Sequence, residues 1–149
     1  MTRNQERAKA RDAIGKYTFE AIKKMVDALR FFSEEREPEM DKPIECNGYQ
    51  LTSRDDAEQM IHEHPLSVLV RDGWRVPDGT NQDGPEEYEI LLSIGGPATR
   101  IIGKLDEDCQ PETAELQVED WFVPWKEWRG KSWSEDVLLA YARCFWFGE

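Results

Sequence analysis

Histidine and cysteine are scarce here. The chain has two His and three Cys among 149 residues. Cys46, Cys109 and Cys144 lie far apart with no C-x-x-C spacing, which argues against a zinc knuckle or a redox dithiol and points to free thiols in a reducing compartment. His62 and His64 stand two apart, and on a helix such residues point about 200° away from each other, so one ion cannot take both. No metal and no cofactor is expected. Long apolar runs are absent too: nothing approaches the ~18 residues of a membrane span. The opening "MTRNQERAKARDAIGKY" lacks the apolar core of a signal peptide. The expected setting is soluble and cytoplasmic, with no membrane partner.

Positive charge is the next shortage. Nineteen Lys and Arg face 31 Asp and Glu, a net charge of −12. The deficit is uneven: Met1 to Arg30 holds eight basic against four acidic residues (+4), and Phe31 to Glu149 holds eleven against twenty-seven (−16). An acidic body repels phosphates, which disfavours direct nucleic-acid binding and favours basic protein surfaces, including those of nucleic-acid-binding proteins.

What the chain does have is aromatic and apolar content sufficient for a core, with 39% hydrophobic residues and 11% aromatics. Its length suits one domain spanning 1–149. Residues 1–35 read as a helical segment, because Ile14, Tyr17, Ala21, Met25, Leu29 and Phe32 recur at spacings of three and four. Such a stripe packs against the body or pairs with a second copy as a homodimer through this helix. "EREPEMDKP" supplies a charged, proline-bearing loop over 36–43, and 44–149 forms an α+β body.

Within that body, Asn47-Gly48 predicts a tight hairpin, and Ser53 caps a short helix that Pro65 stops. "LSVLV" is strand-like, and 72–85 reads as a loop. Tyr88, Ile90, Leu92 and Ile94 alternate with Glu89, Leu91 and Ser93, Thr99, Ile101, Gly103 and Leu105 with Arg100, Ile102 and Lys104, and Ala114, Leu116 and Val118 with Glu115, Gln117 and Glu119. These are strands of an antiparallel meander. Ser134 opens a C-terminal helix. The fold class is therefore α+β: a long N-terminal helix, a short helix, a three- to five-stranded antiparallel meander sheet and a C-terminal helix.

Candidate sites are few. Gly95-Gly96-Pro97 offers two glycines as a phosphate loop would, but Pro97 removes an amide, no Lys-Ser pair follows, and β-branched residues stand where a helix should begin. A hairpin turn is the better reading, leaving Arg100 and Lys104 on the next strand as possible anion contacts. "EDWFVPWKEWRGKSW" places Trp121, Trp125, Trp128 and Trp133 within thirteen positions. Some of these cap the core. The rest, with Glu119, Asp120 and Glu127, form a candidate partner-binding surface around Trp121, Trp125 and Trp128, because accessible Trp dominates interface hot spots. No catalytic residue set is assigned: carboxylate pairs abound, but general acid-base work requires unlike environments.

The string G-G-P-x-x-R-I-x-G-x-L-D from Gly95, D-W-x-x-P-W from Asp120 and Y-A-x-x-F-x-F-G from Tyr141 resembles a pattern in small proteins carried by phages, plasmids and other bacterial mobile elements. The resemblance covers roughly 87–149. It implies an anti-defence role in the bacterial cytoplasm, of the anti-CRISPR or anti-restriction type; the −16 balance after Phe31 and the tryptophan cluster add the expectation of a non-enzymatic acidic protein that docks on a basic surface of a host CRISPR or restriction complex. The alternative from the residues themselves is a small enzyme or nucleotide-binding or small-anion-binding domain with its site near Arg100, Asp120 and the tryptophans.

Overall fold

The computed structural model describes residues 2–34, 42–74, 77, 84–121 and 123–148. Most of the loops expected over 36–43 and 72–85 lies outside the described residues. The chain begins with α1 (Arg3–Ser33), capped reciprocally: the Thr2 hydroxyl accepts from the Gln5 amide at 3.2 Å, and the Gln5 side chain accepts from the Thr2 amide at 2.9 Å. A hairpin of β1 (Ile44–Cys46) and β2 (Tyr49–Leu51) turns at Asn47 and Gly48, both with positive φ (49° and 89°). Then α2 (Arg54–Glu63) starts at Ser53, whose hydroxyl accepts from the Asp56 amide at 3.2 Å.

The sheet follows as a pure meander. Strands β3 (Ser67–Asp72), β4 (Pro85–Ser93), β5 (Ala98–Lys104), β6 (Glu115–Asp120) and β7 (Val123–Glu127) pair antiparallel in sequence order. The last helix, α3 (Glu135–Ala142), follows Ser134 directly, although the Ser134 hydroxyl makes no capping bond. Cys144–Phe147 continues neither as helix nor as strand.

Period-two alternation decides which side of the sheet is covered. Tyr88, Ile90, Ile101, Leu116 and Val118 point to the helices and are buried with Phe19, Ile22, Met25 and Val26 of α1, Met60 and Ile61 of α2, and Leu138 and Tyr141 of α3. Of the α1 stripe expected from sequence, Met25 is buried, Ile14, Leu29 and Phe32 pack partly buried against the core, and Tyr17 is exposed; the buried face centres instead on Phe19, Ile22 and Val26. Ile94, expected in the alternation, is exposed because β4 ends at Ser93.

The strand β7 was not foreseen. Its Val123, Trp125 and Glu127 are half-buried, while Pro124 and Lys126 are exposed, a pattern too polar to read as a strand before its pairing with β6 is known.

Candidate interaction face and tryptophan cluster

The side of the sheet turned away from the helices carries Leu69 and Arg71 from β3, Glu87, Glu89 and Leu91 from β4, Arg100, Ile102 and Lys104 from β5, Glu115, Gln117 and Glu119 from β6, and Trp125 and Glu127 from β7. It forms a groove of about 480 Å³, within the range of small-ligand sites. Its charges are matched across strands. The Arg71 guanidinium bonds Glu87, with Nε at 2.6 Å from the carboxylate. The Arg100 guanidinium donates from Nη1 to Glu89 at 2.7 Å and from Nε to the Gln117 carbonyl at 2.9 Å. Its flat face stacks on the Trp125 ring at 4.1 Å, and Gln117 also donates to the Glu115 carboxylate. Arg129, just past β7, pairs with Glu127 at 2.9 Å and covers the Trp133 ring at 4.3 Å.

These contacts bear directly on the anion reading. Arg100 is held between a carboxylate, a carboxamide and an indole, in a groove also lined by Glu87, Glu115 and Glu127. An incoming anion meets that negative field before it meets an unpaired cation. Lys104 lies four residues from Arg100 along one strand, roughly 13 Å away, too far for both to grip one small anion. Asp120 is not in the groove. It lies toward the helices, where Arg11 of α1 approaches its carboxylate at 3.8 Å. The grouping of Arg100 with Asp120 and the tryptophans is therefore corrected: Trp125 joins Arg100, and Asp120 stands on the opposite side of the sheet.

The four clustered tryptophans divide by environment. Trp128 is a core residue at 7% exposure, so its expected place in a partner surface is corrected. Its indole lies against Gly15 of α1 and Gly130, where neither position has room for a Cβ. It packs 5.7 Å from the Phe19 ring and donates from Nε1 to Asp12 at 2.9 Å. Trp133 is half-buried against the core, and its Nε1 has no hydrogen-bond partner. Trp125 is half-buried under Arg100. Trp121 stays 79% exposed, its indole edge resting on Gly96.

That contact gives Gly96 its reason. Gly95 supplies the positive φ (101°) that the β4–β5 turn requires, and the peptide between Gly96 and Pro97 is cis. Gly96 has no such φ; a side chain there would collide with Trp121. Sequence alone placed the turn and the tryptophan but not their meeting. Of the other expected partner residues, Glu119 stands on the open face next to Ala98, and Glu127 stands opposite Gln117.

Beside the groove, the β4 start and the β5–β6 turn gather Glu86, Asp106, Glu107 and Glu112 around Lys104. In that turn the Asp106 carboxylate accepts from the amides of Asp108 and Gln110, at 2.8 and 3.0 Å. Among the described residues, no group of three His, Cys, Asp or Glu is placed to hold a metal ion, and no helix is long and apolar enough to cross a membrane. Both histidines reach across to the end of α3: His62 Nε2 lies 2.8 Å from the Cys144 carbonyl, and His64 Nδ1 lies 2.6 Å from the Tyr141 hydroxyl. Burial holds the Tyr141 phenol far above its ordinary range and lowers the pKa of His64. It pushes the Cys144 thiol up to about 11, which leaves little thiolate for nucleophilic chemistry. These groups fasten α2 to α3. No known protein family, curated protein or solved structure matches the chain.

Proposed function

We propose that this chain is a non-enzymatic binding protein of a phage or other mobile element that docks its acidic sheet surface on a basic surface of a host nucleic-acid-binding defence complex. The observation that carries this reading is the sheet face that no described helix or strand covers. Glu87, Glu89, Glu115, Glu119 and Glu127 rise from β4, β6 and β7 and outnumber the arginines that pair with Glu87, Glu89 and Glu127, the acidic β5–β6 turn extends the same charge, and Trp121 stands exposed at the turn end of the sheet. Interstrand pairing fixes many of these side chains before any partner arrives, which lowers the ordering cost of binding. Surface carboxylates speed encounter with a basic partner, and an exposed indole slows its departure. The mobile-element setting rests on the sequence pattern around Gly95, Asp120 and Tyr141.

The test is phage plating on bacteria that carry a CRISPR or restriction system and express the chain, followed by binding to the purified complex. Relief of defence is expected, with binding that weakens as salt rises and falls at least about tenfold in Trp121→Ala. Relief of no system, or binding indifferent to both salt and Trp121→Ala, overturns the proposal.

A further inference from the structure

The two outer edges of the sheet are built differently. The β7 edge presents exposed Pro124 and Lys126, residues that deter further strand addition. The β3 edge has neither. Its six residues include no proline or lysine, and no described strand pairs with its outer side. Instead it gathers consecutive exposed apolar side chains: Leu66 at 57%, Val68 at 36%, Leu69 at 57% and Val70 at 43%. Of the other exposed large hydrophobics, Trp74 follows β3 by two residues, and Tyr17, Tyr49, Ile94, Trp121 and Trp146 lie elsewhere along the chain.

We propose that the outer edge of β3 pairs antiparallel with β3 of a second copy of this chain, joining two five-stranded sheets into one. The segment Val68-Leu69-Val70 reads the same way from either end. A two-fold alignment about Leu69 sets Leu69 against Leu69, Val68 against Val70, Ser67 against Arg71 and Leu66 against Asp72 on each side. Residues directly opposite in an antiparallel pair share a face, so the valines meet on the helix side and the leucines on the open side. Moving the axis to Val70 would set Leu69 against Arg71 and Val68 against Asp72, placing two apolar side chains of each copy on charges instead of one.

Charge also fits this seam. Arg71 is held by Glu87 of its own chain, and Glu87 and Glu89 stand one strand further in, about 5 Å from the edge, so no like charges are opposed at the seam. The area limits the strength. Four side chains at these exposures offer on the order of 300 Å² per copy, so the pair covers roughly 600 Å², little more than a third of a standard interface of about 1,600 Å². The expected dimer is weak and depends on concentration, and the net charge of −12 per chain opposes it at low salt.

Sedimentation equilibrium of the full chain from about 10 µM to about 1 mM tests the pairing. The mean mass should climb toward twice the monomer value, and more steeply at high salt, which screens the repulsion. That trend is opposite to the one expected for a basic partner, so the two proposals fail separately. Leu69→Lys, an exposed change that puts two ammonium groups on the axis, should weaken dimerisation by at least about tenfold with an unchanged circular dichroism spectrum. Tyr17→Lys on α1 should leave it intact. A chain that stays monomeric at the highest concentration and salt overturns the proposal, as does a Leu69→Lys variant that dimerises as well as the parent.

Discussion

Replacing Gly15 by alanine tests whether Trp128 belongs to the core, because two known effects then oppose each other. Gly15 lies inside a 31-residue helix, where alanine ordinarily stabilises by about 1 kcal/mol. Here a Cβ built on Gly15 would sit 2.7 Å from Trp128 Nε1 and closer still to the neighbouring ring carbons. Gly130 and Phe19 block the indole's retreat. Overpacking of this kind costs about 1–3 kcal/mol. Displacing the ring also disturbs its hydrogen bond to Asp12, worth about 1 kcal/mol at most because Asp12 is exposed.

Because the built Cβ falls well inside contact distance of three ring atoms, overpacking lies near the upper end of that range, and the sum is a net loss of about 2–3 kcal/mol where helix propensity alone promises a gain. Urea unfolding followed by circular dichroism should therefore show a lower midpoint for Gly15→Ala. Trp128→Ala alone should lose about 3–5 kcal/mol. In that background, with the ring gone, Gly15→Ala should stabilise by about 1 kcal/mol, and this reversal of sign is the signature of the contact. A Gly15→Ala variant more stable than the parent would refute the reasoning and return Trp128 to the list of surface anchors.

Stability should also depend on pH through His64. Its folded pKa lies below the ordinary value of 6.5, so the unfolded chain takes up a proton first as pH falls. The stability is fully present above 6.5 and is lost as pH drops toward the folded value. Urea midpoints at pH 7.5 and pH 5.5 should differ for the parent and differ less for His64→Gln. Cys144 should resist alkylation by iodoacetamide at pH 8 and react markedly faster only as pH nears about 11; rapid labelling of Cys144 at pH 8 would show that the thiol is not held in its buried setting.

Much of the architecture was written locally. Thr2 and Ser53 start helices because their hydroxyls accept from free helix amides, and Ser134 precedes the last helix without such a bond. Asn47-Gly48 and Gly95 mark hairpins because few other residues accept positive φ, and the alternation through Tyr88, Ile101 and Leu116 declares strands with one wet face. The strand β7 was illegible for a physical reason: an edge strand with half-exposed positions lacks a clean alternation, and only its partner β6 makes it a strand.

The site divides the same way. Sequence determined that the chain is acidic, that its tryptophans crowd one segment and that Arg100 lies on a strand. Tertiary structure decided that Trp128 is buried between two glycines 115 positions apart in sequence (130 − 15), that Trp121 rests on Gly96, and that Arg100 and Asp120 face opposite sides of the sheet. It also left β3 as an apolar outer edge, which the strand's own residues do not announce. Period and turn chemistry act over a few residues and can be read along a chain. Which side chains meet, and which are left without a neighbour, depends on contacts between distant segments that exist only once the sheet and helices have closed on one another.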